Sequence, residues 1–169
     1  MMKRLFALIL IAASLPLAAQ NGPEAFKALV DSNRVSFKYS LSAKDKAQIR
    51  TDGSVLIDGN CYHIATNGAD IWCDGTTRWT VDSEAKEVYI ESSDGTAEFF
   101  VNPREHLDRI SNLKVGEKSI SGIYKEPSQG AEVVFKFTSI VKSPLSGSTS
   151  GFGFSTAGLG KEWVITDLR

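Results

Sequence analysis

The sequence predicts a mainly β protein, a curled antiparallel sheet or incomplete β-barrel covered by two short helices. Three observations support this fold class. Apolar and polar residues alternate with a period of two, as in the run from Val35 to Leu41, which is the pattern of a half-buried strand. Two other stretches have helical spacing instead. Turn dipeptides separate the apolar runs, namely Asp52-Gly53, Asp58-Gly59, Asn67-Gly68, Asp74-Gly75 and Asp94-Gly95, and such pairs are a strong hairpin signal.

The first segment has the pattern of an export signal. Lys3 and Arg4 precede an apolar run at 5–13, which is too short for a stable transmembrane helix. We therefore expect a signal peptide at 1–19 and one domain at 20–169, released into the periplasm. The formal net charge is −1, so the chain lacks the basic surface that nucleic-acid binding requires.

The first helix is predicted directly after this signal. Pro23 suits the first helical position, and Glu24 suits the positive end of the helix dipole. Phe26 and Leu29 then fall on one face of the helix. The helix should end near residues 32–33.

The strands follow as a meander of neighbouring antiparallel segments. Their short apolar runs suit strands that bury one face. The candidate strands are Val35–Leu41, Val55–Ile57, Tyr62–Ala65, Ile71–Cys73, Trp79–Val81, Val88–Ile90, Phe99–Val101, Ile120–Tyr124, Val133–Phe137, Phe152–Phe154 and Trp163–Ile165.

A second amphipathic helix is predicted between these strands. Asn102 and Pro103 repeat the cap-then-proline pattern of a helix start. Leu107, Ile110 and Leu113 recur every three residues, which indicates about three helical turns. The two helices together could cover one face of the sheet.

The sequence contains no recognisable catalytic arrangement. The only histidines are His63 and His106, and no nucleophile elbow, phosphate loop or dinucleotide fingerprint is present. Cys61, His63 and Cys73 have no evident fourth partner, and their spacing matches no standard zinc pattern. We therefore expect neither an enzyme nor a metal site, and no cofactor.

The two cysteines suggest a disulfide instead, since export leads to an oxidising compartment. A two-residue turn at Asn67-Gly68 would place Tyr62 opposite Cys73, whereas a three-residue loop would place Cys61 opposite Cys73. One residue of slip exchanges the faces of the sheet. Our hypothesis is the longer loop with a Cys61–Cys73 disulfide.

Three features of the chain resemble LolA-type carriers of outer-membrane lipoproteins. The segment Trp72–Val81 places an Asp-Gly turn before a tryptophan and a strand, and Glu87–Ile90 continues it. Trp163–Arg169 resembles the closing strand of that family, with its Asp-Leu-Arg ending. The order of the predicted elements also matches. The family's strand arginine, which is thought to latch the lid, has no counterpart in Ile57–Cys61.

The resemblance implies a curled, incomplete β-barrel with helices over its mouth. It also implies a periplasmic chaperone that receives acylated lipoproteins from an inner-membrane export complex. The protein would bind their acyl chains and deliver them to an outer-membrane acceptor. We expect such a carrier to be a monomer.

The candidate acyl-chain contacts are apolar residues of the helices and of the sheet. Ordinary core packing would explain each of them equally well. Two alternatives stay open: another exported lipid-binding or lipoprotein-sensing module of this fold, or a structural β-domain with a filled core. The candidate residues are Phe26, Leu29, Phe37, Tyr39, Trp79, Leu107, Ile110, Leu113, Phe135 and Phe137.

Overall fold

A computed structural model describes residues 22–93 and 98–169. The predicted signal peptide and the Asp94-Gly95 turn lie outside the described residues. One helix, α1, covers Gly22–Asp31, and two 3₁₀ turns cover Pro103–Glu105 and Leu107–Arg109. The strands are β1 Arg34–Ala43, β2 Lys46–Asp58, β3 Cys61–Thr66, β4 Ala69–Cys73, β5 Thr77–Asp82, β6 Glu87–Ser92, β7 Ile110–Val115, β8 Ser119–Lys125, β9 Glu132–Ser143 and β10 Val164–Asp167.

All ten strands belong to one sheet, in the order β10-β6-β5-β4-β3-β2-β1-β9-β8-β7. The run from β1 to β6 is the predicted meander, because each strand pairs antiparallel with the next one in the chain. β10 lies parallel to β6 and makes the sheet mixed. β10 and β7 end the sheet without pairing to each other, so it is not closed into a barrel. The mainly β fold class is confirmed.

The second predicted helix is wrong. Asn102 and Pro103 do start helical turns, but these are the two short 3₁₀ turns. Ile110 and Leu113 lie on β7, which pairs with β8. The register shifts between Ser111 and Lys114, and Asn112 has φ 52°, as in a β-bulge. Because of this bulge, Ile110 and Leu113 both pack against the same core. Their separation of three residues therefore resembles the spacing of a helix.

Two predicted strands and one predicted turn are also wrong. Phe99–Val101 forms turns, and Phe152–Phe154 belongs to a segment without strand pairing that follows β9. Asp52 and Gly53 lie inside β2. A Cβ atom at Gly53 would come within 2.5 Å of the Tyr39 hydroxyl oxygen. Such an atom would come even closer to the Ala65 carbonyl oxygen of β3. This glycine therefore makes room both for the backbone of β3 and for the Tyr39 ring.

The predicted cysteine pairing is wrong. A two-residue turn at Asn67-Gly68 joins β3 to β4, and Tyr62 lies opposite Cys73. Because successive residues of a strand point to opposite faces, Cys61 and Cys73 emerge on different faces. Both are buried free thiols in the structure.

The two faces of the sheet carry separate apolar clusters. The inner face carries Phe37 of β1 and Phe137 of β9, and its cluster draws side chains from six strands. The outer face carries Trp72 and Trp79, which pack with Phe154 and other residues of the segment between β9 and β10.

Candidate functional site

The inner face of the sheet holds a cluster of aromatic rings, here called the aromatic core. Ring centroids lie 4.7 Å apart for Phe37 and Phe137, 5.0 Å for Phe135 and Phe137, and 5.4 Å for Tyr39 and Phe100. These separations are typical of favourable aromatic pairs. The rings therefore fill the space between the sheet and the elements above it. The members of the aromatic core are Phe26, Phe37, Tyr39, Phe99, Phe100, Tyr124, Phe135 and Phe137.

The structure brings most of the predicted acyl-chain contacts together at this core. Phe26, Phe37, Tyr39, Phe135 and Phe137 are at most 4% exposed and belong to it. Three partly buried residues pack against the same cluster, namely Leu29, Ile110 and Leu113.

Two predicted contacts lie elsewhere. Trp79 points to the outer face, because it pairs with Trp72 of β4 and Ile90 of β6 in the second cluster. Leu107 lies in the second 3₁₀ turn and is half-buried, outside the aromatic core. The alternation in β5 alone could not tell which of its faces is the inner one.

Sequence reasoning missed one buried part of the site, residues 99–101. Phe99, Phe100 and Val101 are 4%, 2% and 7% exposed and enter the core from above the sheet. The Phe99 ring stacks on Tyr124 with centroids 4.2 Å apart. The sequence signal for this insertion was three consecutive apolar residues before an Asn-Pro pair. Such a run is equally typical of a buried turn and of a strand.

The aromatic core is closed by a cover, defined here as α1 together with residues 99–109. Phe26 of α1 packs on Phe137, with centroids 5.9 Å apart. The cover contributes no strand to the sheet. It therefore adheres to the sheet mainly through apolar side chains.

An ion-pair cluster joins the two parts of the cover. The Asp31 carboxylate accepts from Arg104 Nη2 at 2.6 Å and lies 2.8 Å from Lys27 Nζ. Partial burial raises the pKa of Asp31, but the hydrogen bonds from Lys27 and Arg104 outweigh it and hold that pKa below the usual value. The Arg104 side chain is 62% exposed, so the cluster is a weak surface contact.

A large hollow of about 600 Å³ opens beside the end of α1. Its walls include Val30 and Tyr62 from the core and Asp31, Asn102 and Arg104 from the cover. The buried Cys73 thiol lies just behind it and donates to Ser93 Oγ at 3.5 Å. Most of the lining of this hollow is polar, and Val30, Tyr62 and Val101 are its larger apolar or aromatic side chains.

A small hollow of about 340 Å³ lies on the other flank of α1. Leu29, Ile120 and Ile140 form apolar walls, and Glu117 and Lys142 also line it. Both volumes fall within the range of about 300–1,000 Å³ that is usual for ligand pockets. The helix therefore has a pocket on each side and the aromatic core beneath it.

The histidines have structural surroundings. His63 stacks on Trp72 with ring centroids 3.6 Å apart, and its Nε2 lies 3.7 Å from Asp70 Oδ2. His106 Nδ1 lies 3.4 Å from the Tyr124 hydroxyl. Among residues 22–93 and 98–169, no cluster of three or more His, Cys, Asp or Glu is placed to hold a metal ion.

No family model and no curated protein matches the chain. In the part of the chain that the structure describes, no helix combines the length and apolarity needed to cross a membrane.

Proposed function

We propose that this protein is a periplasmic carrier of the LolA type. It would take the acyl chains of lipoproteins from an inner-membrane export complex and deliver them to an outer-membrane acceptor. The observation that carries the proposal is the aromatic core, in which rings of an open sheet meet rings of a cover that is not part of that sheet. In this proposal the structure corresponds to the empty, closed state.

The free energy gained when the cover closes and the free energy gained when an acyl chain binds are similar in size. Burying one apolar side chain is worth about 1.5–3 kcal/mol, and burying one methylene about 0.8 kcal/mol. Lifting the five buried apolar side chains of the cover would thus cost about 8–15 kcal/mol, while an acyl chain of about fourteen methylenes regains about 11 kcal/mol. Loading and release would then both be feasible. The five side chains are Phe26, Val30, Phe99, Phe100 and Val101.

The polar contacts of the cover also suit repeated opening. The exposed Arg104–Asp31 pair contributes little to holding the cover closed, because water and salt screen it. It could play the part of the arginine latch of the resembling family from a different position, since Arg104 belongs to the cover and not to a strand. An acyl chain needs no fixed polar partner, because hydrophobic binding is non-directional.

The proposal is tested by binding of a diacylated lipopeptide to the mature protein. We expect saturable binding, with displacement by excess unlabelled lipopeptide but not by the same peptide without acyl chains. Binding that never saturates, or that is equal for the peptide without acyl chains, would contradict the carrier function.

The filled aromatic core favours a second candidate, an exported structural β-domain with no cargo. Phe135 and Phe137 are fully buried and touch each other and Phe99. A structural domain would keep these rings in contact at every lipopeptide concentration. The same titration separates the candidates, because this one predicts no uptake.

A further inference from the structure

The small hollow beside α1 has apolar walls and a volume of about 340 Å³. Leu29 of α1, Ile120 of β8 and Ile140 of β9 form its apolar walls, and Ala25 and Ala28 of the helix keep that flank thin. Ile120 is 1% exposed and Ile140 7% exposed, so the pocket reaches down to the inner face of the sheet.

A local irregularity of β9 turns a cation towards this pocket. Ser139 has φ 55°, and the pairing of β9 with β1 shifts register next to it. Beyond this point Lys142 pairs with Val35, whose side chain is fully buried on the inner face. Because paired residues of neighbouring strands share a face, Lys142 lies on the inner face and at the rim of the hollow.

The charges at the rim are Lys142 and Glu117. No ion pair or hydrogen bond links the Lys142 ammonium to another residue of the described chain. Glu117 is exposed in the turn between β7 and β8, which the Gly116 N–H closes by donating to the Ser119 carbonyl at 2.8 Å. Lys142 extends from a paired strand, so its position is the more fixed of the two.

We propose that the small hollow binds a single acyl chain whose anionic head group pairs with Lys142. The inference rests on the proposed function for its choice of an acyl ligand and adds a head-group preference to it. The chain would lie between α1 and Ile120, and its carboxylate would remain at the water-exposed rim. The gain from such an exposed pair is modest, so the head group would select among ligands and the chain would supply most of the affinity.

The test is a titration of the full mature protein with dodecanoate and with dodecylamine. We expect dodecanoate to bind more tightly, and Lys142→Glu to weaken dodecanoate binding about five- to tenfold while strengthening dodecylamine binding. Lys136→Glu is the matched control, because it makes the same charge change on the same strand, where its exposed side chain is on the outer face. It should change neither affinity by more than about twofold.

A second variant tests the position of the chain. Ala28→Trp would fill the hollow and should abolish dodecanoate binding in a protein whose circular dichroism is unchanged. Equal affinity of Lys142→Glu and Lys136→Glu for dodecanoate would overturn the inference, whatever the behaviour of Ala28→Trp.

The inference and the proposed function can fail separately. If the protein binds the lipopeptide but Lys142→Glu leaves its affinity for dodecanoate unchanged, the head-group site is refuted and the carrier function is not. If dodecanoate binds and its affinity depends on Lys142, but the lipopeptide does not bind, the lipoprotein carrier is refuted and the fatty-acid site is not.

Discussion

Gly122 lies directly under an aromatic ring of the core, and its replacement tests how tightly the inner face is packed. A Cβ atom at this position would lie 2.7 Å from Phe135 Cζ and 2.9 Å from Phe135 Cε1. Ordinary carbon contacts are about 3.5–4.0 Å, so the ring would have to move by about 1 Å. Phe135 is 0% exposed and touches Phe99 and Phe137, so it has no free space to move into.

Gly122→Ala should therefore destabilise the protein by about 1–3 kcal/mol, the usual cost of overpacking a core. The assay is urea unfolding followed by circular dichroism. Gly153→Ala is the matched control, because its added Cβ would lie 3.8 Å from Trp79, an ordinary contact. It should leave the free energy of unfolding within about 0.5 kcal/mol of the parent value. Equal stability of the two variants would refute the tightly packed inner face.

Three further predictions concern titration and the segment between β9 and β10. Asp31→Asn should lower the free energy of unfolding by about 0.2–1 kcal/mol at pH 7. Because folding lowers the pKa of Asp31, this difference between parent and variant should vanish as the pH falls below about 3.8. Unfolding curves recorded at a series of pH values measure it. Burial raises the pKa of Tyr39 to about 12, so unfolded chains lose this proton first and stability should fall from about pH 10 to 12, less steeply in Tyr39→Phe. The Asp58 carboxylate accepts hydrogen bonds from the Ser146 backbone N–H and hydroxyl and from Arg34. Asp58→Ala should therefore lower the free energy of unfolding by about 1–3 kcal/mol and speed proteolysis of residues 144–163. An unchanged cleavage rate would show that these bonds do not hold the segment.

Short-range signals predicted the sheet well where turn chemistry determined the pairing. Asn67-Gly68 forms the two-residue turn that its dipeptide favours, and Gly68 has φ 103°, which a glycine adopts without strain. The longer loop expected for the sake of a Cys61–Cys73 disulfide went against this local signal and was wrong. Asp74 accepts hydrogen bonds from the Thr76 and Thr77 N–H groups in the next turn, as its residue type suggests. The meander from β1 to β6 follows from such local preferences.

Long-range packing explains the errors. Gly53 lies inside β2 and makes room for the Ala65 carbonyl oxygen and the Tyr39 ring of the two neighbouring strands. No local sequence pattern contains these contacts. The three-residue spacing of Ile110 and Leu113 arises from a bulge at Asn112, which only the pairing of β7 with β8 shows.

The candidate site was predicted in part for the same reasons. Period-two alternation found the residues of β1 and β9 that build the aromatic core. It could not find the inserted residues 99–101, because they belong to turns. It also could not find Lys142, whose face depends on the irregularity at Ser139.

The most direct test of the carrier account uses a lipopeptide with brominated acyl chains, since bromine quenches nearby tryptophan fluorescence. All three tryptophans of the chain pack in the outer-face cluster, so the unmodified protein should be quenched little. Phe100→Trp places a reporter in the aromatic core, and its added fluorescence should be quenched saturably as the acyl chains enter. Binding of the lipopeptide without quenching of this reporter would contradict the claim that the space under the cover receives the cargo.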